Sequence, residues 1–175
     1  MCRRTLQVTQ PLHEAAKLSA FLLQLTPAFN PAKHALDELE PVVQALAPVP
    51  VAVELRHRDW LNDPDATVDW FREAGAVFVC VDLPDVEAPI VLPPFDAVTR
   101  KDLAYLRAHG RNKEGYMRGR SAGERFAYDY PDKELDELAG RVGQLAGEAE
   151  AVRVMFANGG DALSAAERMR ERLAD

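Results

Sequence analysis

Seven residues carry the chemical promise of this chain: Gln24, Glu54, Arg56, Asp82, Arg107, His109 and Arg111, each near the end of an apolar run or just beyond it. Glu54 and Asp82 are two carboxylates of the kind that work as acid and base; glycoside chemistry uses such a pair when the two lie ~5–10 Å apart. Glu54 ends a wholly apolar run, so desolvation would raise its pKa while Arg56 would lower it. An ion pair with Arg56 or Arg107 explains Glu54 equally well without any reaction. His109, flanked by Arg107 and Arg111, reads as a neutral imidazole, a base, hydrogen-bond donor or metal ligand; a lone strand histidine is also a common structural hydrogen-bonding group. Glu54, Asp82 and His109 would suit a divalent ion, although no HExxH or CxxC spacing supports one. The sequence therefore names no metal and no cofactor. Arg56, Arg107 and Arg111 form an anion clamp, because guanidinium meets carboxylate or phosphate in a fork.

Three further features are candidates for ligand contact. Asn158, with Gly159 and Gly160, lies after an apolar run and before a helix whose N-terminus suits phosphate. A turn leading into an Asp161 cap accounts for the same residues. Tyr128, with Tyr116 and Tyr130, lies in or near a polar stretch from Gly110 to Tyr130 and could cover a ligand or pack on a rim. Asn112 closes the string RAHGRN beside the histidine.

Positioning these groups requires strands, and the apolar pattern supplies five. They are read at Phe21 to Leu25, Val51 to Leu55, Val77 to Asp82, Leu103 to His109 and Val152 to Phe156. A helical piece from Leu12 to about Ala20 precedes the first. Asn30 and Pro31 start a helix running to Pro48, and Asp63 and Pro64 start another that Gly75 ends. Pro131 opens a fourth helical segment, and Ala162 to Leu173 closes the chain as a helix. Pro84 to Pro94 and Gly110 to Tyr130 read as loops, the second long enough to be functional. Strands alternating with helices imply parallel βαβ units. Side chains alternate along a strand, so counting parity places Gln24, Glu54, Arg56, Asp82, Arg107, His109 and Arg111 on one face. Burying unpaired charges costs several kcal/mol, on the order of the penalty for an isolated ion. These groups must pair or reach solvent, as they do at the C-terminal mouth of a barrel; a salt-bridge network holding the strands in register is the competing explanation.

The bulk numbers bound the function classes. With 175 residues, 47% of them hydrophobic, the chain suits a single domain. A net charge of -7 argues against non-specific nucleic-acid binding, though Arg107, Arg111, Arg118, Arg120 and Arg125 fall close together. The two cysteines, Cys2 and Cys80, fit a reducing compartment. No run approaches the ~20 apolar residues of a membrane span, and a cytoplasmic protein is expected.

The strings VELRHRDW (Val53 to Trp60), YLRAHGRN (Tyr105 to Asn112), FAYDY (Phe126 to Tyr130), VMFAN (Val154 to Asn158) and LLQLTPAF (Leu22 to Phe29) resemble the YecE-like domain-of-unknown-function family. The resemblance implies a TIM-type fold with its site at the strand mouth, and no assigned reaction. It also implies departures: the family's N-terminal strands have no counterpart, residues 1–17 are atypical, and Ala157 precedes Asn158 where the family tends to carry a pair of asparagines. The expected architecture is thus α/β, a partial TIM-type (β/α) barrel of about five parallel strand–helix units, truncated at its N-terminus relative to the family. Three functions fit. The first is an enzyme, or enzyme-derived protein, acting on a small anionic ligand such as a phosphorylated or acidic sugar. The second is a nucleic-acid or partner-binding module using the arginines and loop tyrosines. The third is an inactive barrel fragment whose open sheet edge a homo-oligomer would cover.

Overall fold

The run VFVCVD is buried at every position, and it becomes the central strand of the molecule. In the computed structural model, which describes residues 2–174, five strands lie in the order β1 (Phe21–Gln24), β2 (Val51–Glu54), β3 (Val77–Asp82), β4 (Ala104–Ala108), β5 (Val152–Phe156). All four pairings are parallel. The helices are α1 (Cys2–Glu14), α2 (Glu40–Leu46), α3 (Pro64–Ala74), α4 (Lys113–Arg118), α5 (Ala122–Phe126), α6 (Asp132–Ala146) and α7 (Ala162–Arg172). The sheet curls into a half-barrel. Arg107 on β4 donates to Gln24 on β1 at 2.9 Å, although three strand spacings in a flat sheet would separate them by roughly 14 Å.

Local chemistry sets most boundaries. Asp63 accepts from Ala66 N at 3.0 Å, Pro64 takes the first helical position, and Gly75 ends α3 with φ 68°. That left-handed φ is cheap only for glycine. Asp161 caps α7 through Ser164 N at 3.0 Å. Behind the sheet, Phe78 meets Phe71 and Phe95 edge-on at 5.2 and 5.7 Å, and Leu135 and Leu138 of α6 are fully buried. Truncating a residue such as Phe71 would cost about 3–5 kcal/mol.

Three elements differ from expectation. The first helix occupies residues 2–14 and stops before Ala16, whose φ is +53°, so the helix expected from Leu12 to Ala20 is displaced. Asn30 makes an isolated turn instead of a cap: its side chain accepts from Ala32 N, and its carbonyl from Lys33 N and His34 N. The regular helix waits for Glu40, after a 3-10 turn at Leu36–Leu39. The stretch from Gly110 to Tyr130 is not one loop, because it contains α4 and α5.

Register corrects the parity count. Gln24 lies beside Glu54, Ala52 beside Val77, Val81 beside Arg107, and Arg107 beside Met155. Neighbours in a parallel ladder share a face, so Gln24, Glu54, Val77, Val79, Val81, Arg107 and Met155 face the inside of the curl. Asp82 pairs with Ala108 and faces outward, toward the helices. The two carboxylates expected to share one face lie on opposite faces of the sheet.

Candidate functional site

Glu54 ends β2 with 0% of its surface exposed, which leaves its carboxylate dependent on partners within the protein. It has three. Oε1 accepts from Arg56 Nη1 at 3.2 Å and lies 3.0 Å from His109 Nε2, while Oε2 accepts from Arg107 Nη1. Burial pushes the Glu54 pKa up, but the His109 hydrogen bond and the charges of His109, Arg107 and Arg56 outweigh it and hold the carboxyl below its ordinary value. An ionised carboxylate only accepts, so the His109 Nε2 donates to it. The imidazole also stacks, tilted, on Phe126 with centroids 5.5 Å apart. Glu54, Arg56, Arg107, His109 and Gln24 therefore assemble as one cluster at the inner mouth of the sheet.

Arg56 links this cluster to the surface. Its Nη2 donates to the Tyr116 hydroxyl of α4 at 2.7 Å. Its Nε is buried and has no hydrogen-bond partner among the described residues. Arg56 and Tyr116 also wall a cleft of about 250 Å³, together with Gln24, Thr26, Arg125 and Phe126. Arg125 of α5 is steadied by its Nε, which donates to the Gly119 carbonyl at 3.1 Å.

A second cluster forms outside the sheet around Asp82. Its carboxylate accepts from Arg111 (Nη2 at 2.9 Å, Nε at 3.0 Å), from Arg141 Nη1 at 3.1 Å and from the Tyr130 hydroxyl at 2.8 Å. Arg141 also forks onto Asp96 at 2.7 and 2.8 Å, and Arg111 reaches Glu137 at 2.7 Å. Burial tends to lower the pKa of Arg111, but its carboxylate partners more than reverse this and hold the group charged. A broad cleft of about 750 Å³ opens beside these residues and Tyr128. Tyr128 donates to Glu134, and burial together with that bond pushes its phenol up to about 12. Among the described residues no group of three or more His, Cys, Asp or Glu is arranged to hold a metal ion. The divalent set of Glu54, Asp82 and His109 is not assembled, because Asp82 faces the other way.

Two asparagines are drawn into the loops. Asn112 caps α4 through Gly115 N at 2.9 Å, and its amide donates to the Ala127 carbonyl at 2.9 Å, pinning α4 to the far side of α5. Asn158 donates to the Tyr128 carbonyl at 2.6 Å, while its Oδ1 is buried without a partner among the described residues. The start of α7 is already occupied by acid: Asp161 caps it, and Asp129 accepts from Asp161 N at 3.0 Å. The turn leading into an Asp161 cap thus accounts for Gly159 and Gly160.

The sequence marks Arg125 only as one of several neighbouring arginines, and it passes over Thr26 and Arg141. Arg125 was legible in one respect, since Ser121 and Glu124 have the spacing that starts a helix. The Ser121 hydroxyl does accept from Glu124 N at 3.2 Å. Arg141 and Thr26 gave no comparable signal.

The geometry can be set against known proteins. A family model described as a protein of unknown function, DUF72, matches residues 1–175. The UPF0759 protein YunF of Bacillus subtilis is 30% identical over 171 residues, covering 93% of this chain and 60% of YunF. A DUF72 family protein from Thermotoga maritima superimposes with a TM-score of 0.86 at 28% identity, covering 99% of this chain and 65% of that one. Another, from Enterococcus faecalis, gives a TM-score of 0.90 at 30% identity, covering 99% and 65%. The chain therefore spans about 60% of the length of the curated relative it matches. Among the described residues, no helix is long and apolar enough to cross a membrane.

Proposed function

The chain belongs to the DUF72 family of proteins of unknown function, with its TIM-barrel-like fold, and from that premise we propose that its inner mouth receives a small anionic ligand such as a phosphorylated or acidic sugar. One observation carries the reading: Arg56 and Arg125 wall one open cleft in which, among the described residues, no Asp or Glu stands. Guanidinium groups without a carboxylate beside them in the cleft suit an anion from outside the chain. Within this reading His109 is the acid–base group and Glu54 holds its ring in place. Asp82, placed behind the sheet, steadies the neighbouring loops.

Binding to a nucleic acid is less well supported. Tyr116 and Tyr130 are buried and unavailable for stacking on bases. Arg107 and Arg111 are committed to carboxylates. A thermal-shift screen of sugar phosphates, sugar acids and neutral sugars tests the reading. Anionic compounds should raise the Tm and neutral ones should not, and Arg56→Met should abolish the rise. No shift with any anion on well-folded protein would defeat it.

The sheet edges favour a second, compatible reading, self-association. Among the described residues, β1 and β5 each pair on one side only. Leu22 and Met155, at opposite edges of the inner face, are 40% and 48% exposed. Unpaired edges of this kind invite another chain.

A further inference from the structure

We infer that the anionic end of the ligand is a phosphate monoester, seated between Arg56 and Arg125 with its organic part against Phe126; the inference rests on the reading above and narrows it. Charge is the first argument. Arg56 and Arg125 wall this cleft, and Arg56 shares the single Glu54 carboxylate with Arg107. Among the described residues Arg125 enters no ion pair, and no Asp or Glu walls the cleft. Two positive charges are left uncompensated. A carboxylate ligand would neutralise one, whereas a phosphate monoester carries about -1.5 to -2 at neutral pH.

Donor geometry is the second argument. A phosphate end presents three strong acceptor oxygens, and the cleft offers donors on more than one side. Arg56 and Arg125 come from different elements, and the hydroxyls of Thr26 and Tyr116 stand on the same wall. The Tyr116 hydroxyl accepts from Arg56 Nη2 at 2.7 Å, so its own proton is free to point elsewhere; its contact with the Ile90 carbonyl is long, at 3.5 Å. Apart from Gln24, the remaining wall is apolar: Leu25, Pro27, Ile90 and Phe126. A bare inorganic ion would leave that shelf unused, while a monoester with a compact organic part would cover it.

Calorimetric titration of the chain with four probes tests the inference: a hexose phosphate, inorganic phosphate, a hexuronic acid and the neutral hexose. The hexose phosphate should bind about tenfold or more tighter than either the hexuronic acid or inorganic phosphate, and the neutral hexose should not bind. Arg125→Gln, a change at an exposed side chain, should erase the preference for the phosphate ester while circular dichroism shows an unchanged fold. A hexuronic acid that binds as tightly overturns the inference and leaves the anion reading standing. Inorganic phosphate binding equally well overturns the monoester assignment, and so does a preference that survives Arg125→Gln. If none of the anions binds, both readings fall together.

Discussion

His109 Nε2 lies 3.0 Å from Glu54 Oε1, so a residue just past β4 is locked to one at the end of β2, two strands away. Arg107 closes the same carboxylate from β4, and Arg56 closes it from just beyond β2. Glu54 is thus the hub on which the mouth is organised. The arginines are held where they are because one carboxylate holds them, and the cleft outside inherits their surplus charge.

Replacing Glu54 by Gln should be strongly destabilising. It leaves two guanidiniums without their countercharge, and breaking a buried pair in this way costs about 3–5 kcal/mol. The pH dependence follows from the lowered pKa. A carboxyl depressed on folding contributes its stability above its unfolded value, about pH 4.3, and loses it as pH falls through the folded value. Urea denaturation should show wild-type stability dropping in that acid range, with the Glu54→Gln protein less stable at neutral pH and flatter below about pH 4.3. Equal acid slopes in the two proteins would remove Glu54 from its role as hub.

Tyr130 is the strut of the outer cluster. Its hydroxyl donates to Asp82 at 2.8 Å and accepts from Gly110 N at 2.8 Å. Burial, the Asp82 charge and the hydrogen bond to Asp82 push the phenol upward, against the smaller opposing effects of the Gly110 N–H and Arg111. Tyr130→Phe should cost about 1–3 kcal/mol, because the buried Gly110 N–H loses its acceptor. Asp82→Asn should cost more, since Arg111 and Arg141 lose their shared countercharge. A double-mutant cycle by chemical denaturation should report coupling between the two sites; simple additivity would show that the hydroxyl and the carboxylate act separately.

Much of this was readable from residue order, and the failures have physical causes. β3 was legible to the residue because the apolar-rich run Val77–Asp82 lies between the breakers Gly75 and Pro84, and α3 because Asp63, Pro64 and Gly75 mark both ends. Glu54, Arg107 and His109 were legible as a mouth because each lies at, near or just past the C-terminal end of a strand. Asp82 was misplaced because strand parity is local while register is not. Ala52 pairs with Val77, a relation between strands that no single strand encodes, and it turns Val81 inward and Asp82 outward. α4 and α5 were missed because six and five residues are too few for a 3.6-residue period to show. The cleft depends on those two helices to bring Tyr116 and Arg125 to one wall, so the two residues could be named from the sequence but not their meeting place.

Glycines in the loop and in a helix should respond oppositely to alanine. A Cβ on Gly110 would come within 2.5 Å of Tyr128 Cβ, at a φ of +88° that alanine adopts poorly, and one on Gly160 would meet the Tyr128 carbonyl at 2.6 Å. Gly140, inside α6, has nothing within 4 Å of an added Cβ. Gly140→Ala should stabilise by about 0.5–1 kcal/mol through helix propensity, whereas Gly110→Ala and Gly160→Ala should lower the Tm. A stable Gly160→Ala protein would mean that the Tyr128 loop yields readily.

Cys80 should be silent to thiol reagents. Burial, with the Asp96 charge adding to it, pushes its thiol up to about 12, and the reactive species is the thiolate. Ellman titration of native protein at pH 8 should detect no more than the thiol of Cys2, and the second thiol should appear only with denaturant. Two fast thiols would mean that β3 opens far more readily than its complete burial implies.

The sheet edges give the last expectation. The backbone N–H and C=O groups along the outer sides of β1 and β5 have no strand partner among the described residues. Beside β5, an apolar groove of about 370 Å³ is walled by Val152, Val154, Phe156 and Met169. Association through such an edge adds ladder hydrogen bonds and covers apolar surface together, so it should strengthen with concentration. Sedimentation velocity should show the weight-average coefficient rising with protein concentration, and the pair Leu22→Lys and Met155→Lys should suppress that rise. Both side chains are exposed, so a folded variant is expected, and circular dichroism checks it. A concentration-independent monomer coefficient for the unmodified chain would show that neither edge recruits a second copy. The Arg56 cleft lies at the end of the strands, away from the β5 groove, so ligand titrations should give the same affinity at protein concentrations above and below the association midpoint.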